Sequence, residues 1–175
     1  MGAVQTTHPR RDYAPLLDQF SPEARLLPPA LRDDRMAQVV DALWGLVGTR
    51  GVSWIGFYAK HPQRDEMVLG PRRDKPACSP IGLHGMCGRC WAERRPVIVA
   101  DVATLGVNYI ACDPRDRSEI VIPLIEGDGH CWGVLDADSY DAGAFDTADV
   151  VGLSTLVEHA GLSAPRDPSP PILRL

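Results

Sequence analysis

The segment Ser118–Asp138 restricts the possible folds of this chain more than any other. Ser118–Ile125 is β-rich, Glu126-Gly-Asp-Gly129 is a turn, and His130–Asp138 reads as the returning strand. The pattern predicts a β-hairpin with Glu119 on the outgoing strand and Asp136 and Asp138 on the returning one, all among apolar neighbours. Charged side chains inside such strands need a reason. A turn centred on Gly127-Asp128 sets Glu119 opposite Asp136; one centred on Asp128-Gly129 sets it opposite Asp138. In both registers the three carboxylates share one face, because side chains alternate along a strand. A three-residue loop would break this arrangement. Like charges facing each other destabilise a sheet, so the face is either simply wet or the floor of a polar pocket. Val121, Pro123, Trp132 and Val134 fall on the same face and favour the pocket; parity turns Cys131 away from it. Such a floor can hold a ligand ammonium, and crowding raises the carboxylate pKa values, so that one of the three can stay protonated and act as an acid.

The rest of the chain supplies an α+β frame for the hairpin. Residues 1–30 read as an arm with one short helical turn around Ala14–Phe20. Leu31–Thr49 carries apolar residues at helical spacing, and Gly51 stops it. Val52–Ala59 and Glu66–Gly70 are predicted partner strands. Pro71–Gly88 is a long loop followed by a short helix, Met86–Arg94. Pro96–Ala100 is a short strand, and Asp101–Arg117 is a second long loop. Asp146 can cap a last helix, Thr147–Leu162, with a stripe of Val150, Val151, Leu153, Leu156 and Val157. Residues 163–175 read as a loose Pro-rich tail. The expectation is one domain over residues 31–162, an antiparallel sheet with the terminal helices on one face and pocket-forming loops on the other.

Bulk properties exclude several function classes. The 175 residues carry a net charge of −5 and no long basic stripe, which argues against nucleic acid. No apolar run approaches the ~18 residues of a membrane span, and the N-terminus lacks a signal-peptide core. These point to no membrane partner and to the cytoplasm. Five cysteines, Cys78, Cys87, Cys90, Cys112 and Cys131, are an odd number for a secreted disulfide framework. Clustered cysteines in a reducing compartment suggest metal binding or redox catalysis. Cys78, Cys87 and Cys112 all fall in loops, where reactive groups are displayed. The rival reading is structural zinc held by Cys78, His84, Cys87 and Cys90, since Cys87-x-x-Cys90 has ligand spacing.

With those residues in place, the chain resembles the free methionine-R-sulfoxide reductases, a GAF-domain family. The matching segments are Ser53-Trp-Ile-Gly-Phe-Tyr58, Leu69-Gly-Pro71, Lys75-Pro-Ala-Cys78, Gly85-Met-Cys-Gly88, Ile110-Ala-Cys-Asp113, Ser118-Glu-Ile-Val-Ile-Pro123 and Gly133-Val-Leu-Asp-Ala-Asp-Ser139. The resemblance implies a GAF domain that reduces free methionine-R-sulfoxide. Cys112 would be the catalytic thiol, with Cys78 and Cys87 as candidate resolving thiols. Glu119, Asp136 and Asp138 would bind the ligand, and Trp54 and Tyr58 would form aromatic walls. It implies no bound cofactor or metal, and thioredoxin as reductant; a homodimer is left open. Tyr109 stands where the family usually has His. A non-catalytic ligand-binding GAF module is the other alternative, although such sensors are normally fused to an output domain, for which 175 residues leave no room.

Overall fold

A computed structural model describes residues 10–20, 25–48, 50–109 and 112–175. The N-terminal part of the arm, residues 21–24, Thr49 and residues 110–111 lie outside the described residues. The helices are α1 (Ala14–Leu17), α2 (Arg32–Val47), α3 (Met86–Glu93) and α4 (Thr147–His159). The strands are β1 (Trp54–Lys60), β2 (Glu66–Arg73), β3 (Ile81–Gly82), β4 (Val97–Val99), β5 (Ser118–Ile125), β6 (Cys131–Ser139) and β7 (Leu173–Arg174). They form one sheet in the order β3-β2-β1-β6-β5-β4-β7, antiparallel except between β4 and β7.

Helices α2 and α4 cover one face of this sheet. Met36, Val39, Val40 and Leu43 of α2 and Leu153, Leu156 and Val157 of α4 are buried in a single core with Ile55, Phe57, Ile120, Ile122 and Leu135 from the strands. The opposite face carries α3 and the long loops over a second apolar cluster that includes Trp54, Tyr58, Val121 and Val134. Val151 departs from the expected stripe of α4 and is 60% exposed. The helix also ends at His159, before Gly161, whose φ of +70° breaks the helical path.

The hairpin reaches its predicted face by an unexpected route. Glu126 N donates to His130 O at 2.7 Å, and Gly129, with φ +85°, closes the turn onto Glu126 O at 2.9 Å. This is the three-residue loop that by itself would scatter the carboxylates. One extra residue in β6 repairs the register: Ile125 faces Cys131, but Leu124 already faces Gly133. Trp132 is the bulged residue. Beyond it Glu119 faces Asp138 and Val121 faces Asp136. The bulge also corrects two expectations. Trp132 packs on the helix side of the sheet, its Nε1 donating to Leu162 O at 3.0 Å, and so leaves the carboxylate face. Cys131 lies instead near Cys90 of α3.

The described part of the N-terminal arm and the C-terminal tail are held more firmly than their composition suggests. Tyr13, Leu16 and Phe20 enter the main core. Arg11 Nη1 bonds Asp149 Oδ2 at 2.9 Å, and Tyr13 donates to Asp149 Oδ1 at 2.7 Å. Asp149 also completes the capping box of α4 with Asp146. The tail expected to be loose adds β7 to the sheet. Leu173 N donates to Pro96 O and Leu175 N to Ile98 O, at 2.8 and 3.0 Å, satisfying the outer edge of β4. Among the described residues, no helix is long and apolar enough to cross a membrane.

Asp149→Ala should be costly. It leaves Arg11, whose side chain is 2% exposed, as an unpaired buried cation. Breaking a buried ion pair costs about 3–5 kcal/mol, and urea unfolding should report a loss of that size.

Candidate functional site

β1 builds one wall of the site. Trp54 and Tyr58 point to the same face, their ring centroids 6.1 Å apart. Gly56 between them makes room: a Cβ there would fall 2.5 Å from the Trp54 ring. Both rings also have a polar use. Trp54 Nε1 donates to Lys75 O at 3.0 Å, and the Tyr58 hydroxyl donates to Cys78 O at 2.9 Å. The aromatic walls therefore tie down the loop that carries Cys78.

β5 and β6 form the floor. Glu119, Asp136 and Asp138 line one cavity of about 420 Å³ together with Trp54, Tyr58 and Cys112. Glu119 is 5% exposed and Asp136 is 7% exposed. Glu119 Oε2 and Asp136 Oδ1 are buried without a protein hydrogen-bond partner. Burial, followed by mutual repulsion, pushes Glu119 and Asp138 well above the usual carboxylate range. Burial pushes Asp136 up to about 7. The neighbouring Tyr109 side chain opposes this at Glu119. A fourth carboxylate, Asp116, also lines the cavity and is 4% exposed. Ser53 Oγ donates to it at 2.8 Å. Sequence reasoning missed Asp116, because an aspartate in a polar loop carries no periodic signal of burial.

The thiols divide between mouth and floor. Cys112 and Cys78 are both free and exposed at the mouth, near enough for the Cys78 side chain to act on the Cys112 thiol. The protein packed behind Cys112, and next the Cys78 side chain, push its pKa up to about 12. Asp113, the next residue in the chain, has partners of its own. Its charge is answered by Arg115, which bonds both its oxygens at 3.0 and 2.8 Å, and by Lys75 at 2.6 Å. Arg117 is instead paired with Asp101. Cys87 lies deeper, its Sγ 3.3 Å from Asp136 Oδ2, and burial raises its pKa strongly.

The zinc ligand set inferred from spacing does not assemble. Cys78 meets Cys112, Cys87 meets Asp136, and Cys90 is buried near Cys131. Among the described residues, the group close enough to share an ion is Cys87, Glu119 and Asp136.

Known proteins share this fold. The GAF domain family model matches residues 31–163. The free methionine-R-sulfoxide reductase of Saccharomyces cerevisiae is 37% identical over 109 residues, 61% of this chain and 60% of that protein. The chain thus spans less than two thirds of the yeast protein's length. The structure of the free methionine-R-sulfoxide reductase from Neisseria meningitidis in complex with its substrate is 34% identical with a TM-score of 0.71, covering 88% of this chain and 91% of that one. The reduced form of fRMsr of Staphylococcus aureus is 30% identical with a TM-score of 0.76, covering 90% of this chain and 97% of that one.

The buried floor should weaken the empty protein at neutral pH. A carboxylate whose pKa is raised on folding holds its proton in the folded state while the unfolded chain has lost it. Stability therefore falls as pH rises from about 4, the unfolded value, to about 7 for Asp136, and is flat above. Asp136→Asn removes that loss. Its melting temperature should exceed that of the parent at pH 7.5 by on the order of 10 °C, since a rise from about 4 to about 7 is worth about 4 kcal/mol and about 1 kcal/mol moves a chain of this size by about 2–4 °C. The gap should close near pH 4. A constant gap across that range would contradict the raised pKa.

Proposed function

Because the chain belongs to the GAF-domain family of free methionine-R-sulfoxide reductases, we propose that it reduces free methionine-R-sulfoxide to methionine with Cys112 as the attacking thiol. The observation that carries this reading is the single cavity with three proton-retaining carboxylates on its floor and two neighbouring thiols at its mouth. A free amino acid offers an ammonium that such a floor can take, and Glu119 Oε2 and Asp136 Oδ1 have acceptor capacity to spare. Trp54 and Tyr58 form the wall against which the S-methyl end packs. Selection of the free amino acid follows, because a residue inside a polypeptide has no ammonium to offer.

The first step forms a bond between the Cys112 sulfur and the sulfoxide oxygen as the sulfoxide S–O bond breaks. Methionine leaves, and Cys112 becomes a sulfenic acid. A thiol pushed up to about 12 enters this step largely protonated. Its own proton, or one held by a floor carboxyl, reaches the oxygen as charge develops there. Arrival of the ammonium lowers the carboxylate pKa values and makes a proton available at that moment. In the second step the Cys78 sulfur attacks Cys112, a disulfide forms, and water leaves. Cys87, beneath the mouth, is the alternative resolving thiol. Thioredoxin then returns both thiols by disulfide exchange, in the cytoplasm, where such a reductant is at hand.

The assay uses free methionine sulfoxide resolved into its R and S isomers, with thioredoxin and its reductase. R-selective turnover is expected. Cys112→Ser should release no methionine even in a single turnover. Cys78→Ser should release about one methionine per enzyme and then stall. Peptide mapping after one turnover should find Cys112 joined to Cys78; a Cys112–Cys87 link would change only the resolving partner.

A further inference from the structure

The two thiols at the mouth stand on different loops with separate anchors. The Cys78 loop hangs from β1 through Trp54 and Tyr58. The Cys112 loop is held by Ser53, which bonds Asp116, and by the Asp116 N–H, which donates to Asp113 O at 3.1 Å. A polar cluster joins the loops across the mouth. Lys75, three residues before Cys78, puts its Nζ 2.6 Å from Asp113 Oδ2, and Asp113 follows Cys112 directly. Lys75 Nζ also donates to the Tyr140 hydroxyl, which donates to Asp113 Oδ2 at 3.0 Å. Lys75 and Arg115 lie against the Tyr140 ring, 4.7 and 4.6 Å from its centroid.

We propose that Lys75, Asp113 and Tyr140 form a clasp that positions Cys78 for attack on the Cys112 sulfenic acid. This rests on the reductase reading above. A disulfide needs Cα atoms within about 7 Å of each other, and separate anchors, Ser53 for one loop and β1 for the other, leave the distance between two loops free to vary. Holding the partners together turns an encounter into a prepared step. The need is specific to the second half of the reaction, when Cys78–SH and Cys112–SOH must become Cys78–S–S–Cys112 and water. A sulfenic acid left waiting is open to other thiols and to further oxidation. Arg115 and Lys75 hold the Asp113 carboxyl well below the usual carboxylate range, so the clasp stays charged at working pH. In Lys75→Met the Asp113 carboxylate keeps both its bonds to Arg115 and is left neither unpaired nor uncompensated, so the variant should fold.

The test is a single turnover on free methionine-R-sulfoxide without reductant. Three quantities are followed: methionine released, Cys78–Cys112 disulfide by mass, and sulfenic acid captured by a cyclic 1,3-diketone. Lys75→Met should release its one methionine at the parent rate. Its disulfide should form at least tenfold more slowly, and it should give a captured adduct that the parent does not. Lys75→Arg, which keeps the charge, should recover most of the disulfide rate. Disulfide formation at the parent rate without adduct in Lys75→Met would overturn the clasp. So would an equal slowing of methionine release, which would place Lys75 in the first step. A parent protein that releases no methionine at all would overturn the reductase reading, and the clasp with it.

Discussion

Everything at the site depends on the register between Ser118–Ile125 and Cys131–Ser139. With Glu119 opposite Asp138, both side chains and that of Asp136 turn toward α3 and the loops, and Ile120, Ile122 and Leu135 turn into the helix-covered core. A slip of one residue in β6 would turn Asp136 and Asp138 under α2 and α4 while Glu119 stayed on the other face, and the floor would be split. The apolar partners on the helix side therefore fix the register, at a cost of crowding like charges on the other side. That crowding produces the proton-holding floor. The chemistry of the pocket and the packing of the core are two consequences of one strand alignment.

Much of this was legible in the sequence, for identifiable reasons. Period-two alternation showed Glu119, Asp136 and Asp138 as misfits among apolar residues, and helical periodicity showed α2 and α4. Alternation along the predicted strand Val52–Ala59 puts Trp54 and Tyr58 on one face, and the family resemblance makes them walls. The bulge at Trp132 was not legible. Whether a Gly-rich turn is closed by two residues or three depends on which glycine takes a positive φ, and the Gly127-Asp-Gly129 run permits both. The face survived because two departures, a longer loop and an extra strand residue, cancel. The residues nearest the turn, Cys131 and Trp132, take the faces opposite to those that alternation predicts, for the same reason.

Long-range polar partners were equally hidden. Nothing local links Lys75 to Asp113, Ser53 to Asp116, or Arg11 to Asp149, because each pair is joined only once the sheet has formed. The tail shows the same limit in the backbone. Leu173–Arg174 has no strand signal beyond two residues, and it pairs because the edge of β4 presents donors and acceptors that need partners.

The aromatic wall carries a mechanical consequence. Trp54 and Tyr58 face the cavity with their rings and grip the carbonyls of Lys75 and Cys78 with their polar tips. A molecule that wedges against either ring must strain or shift that grip. Cavity width and sulfur-to-sulfur spacing are thus geared together, as the two jaws of one lever, and a guest of the wrong girth would be felt at the thiols before any bond is made or broken.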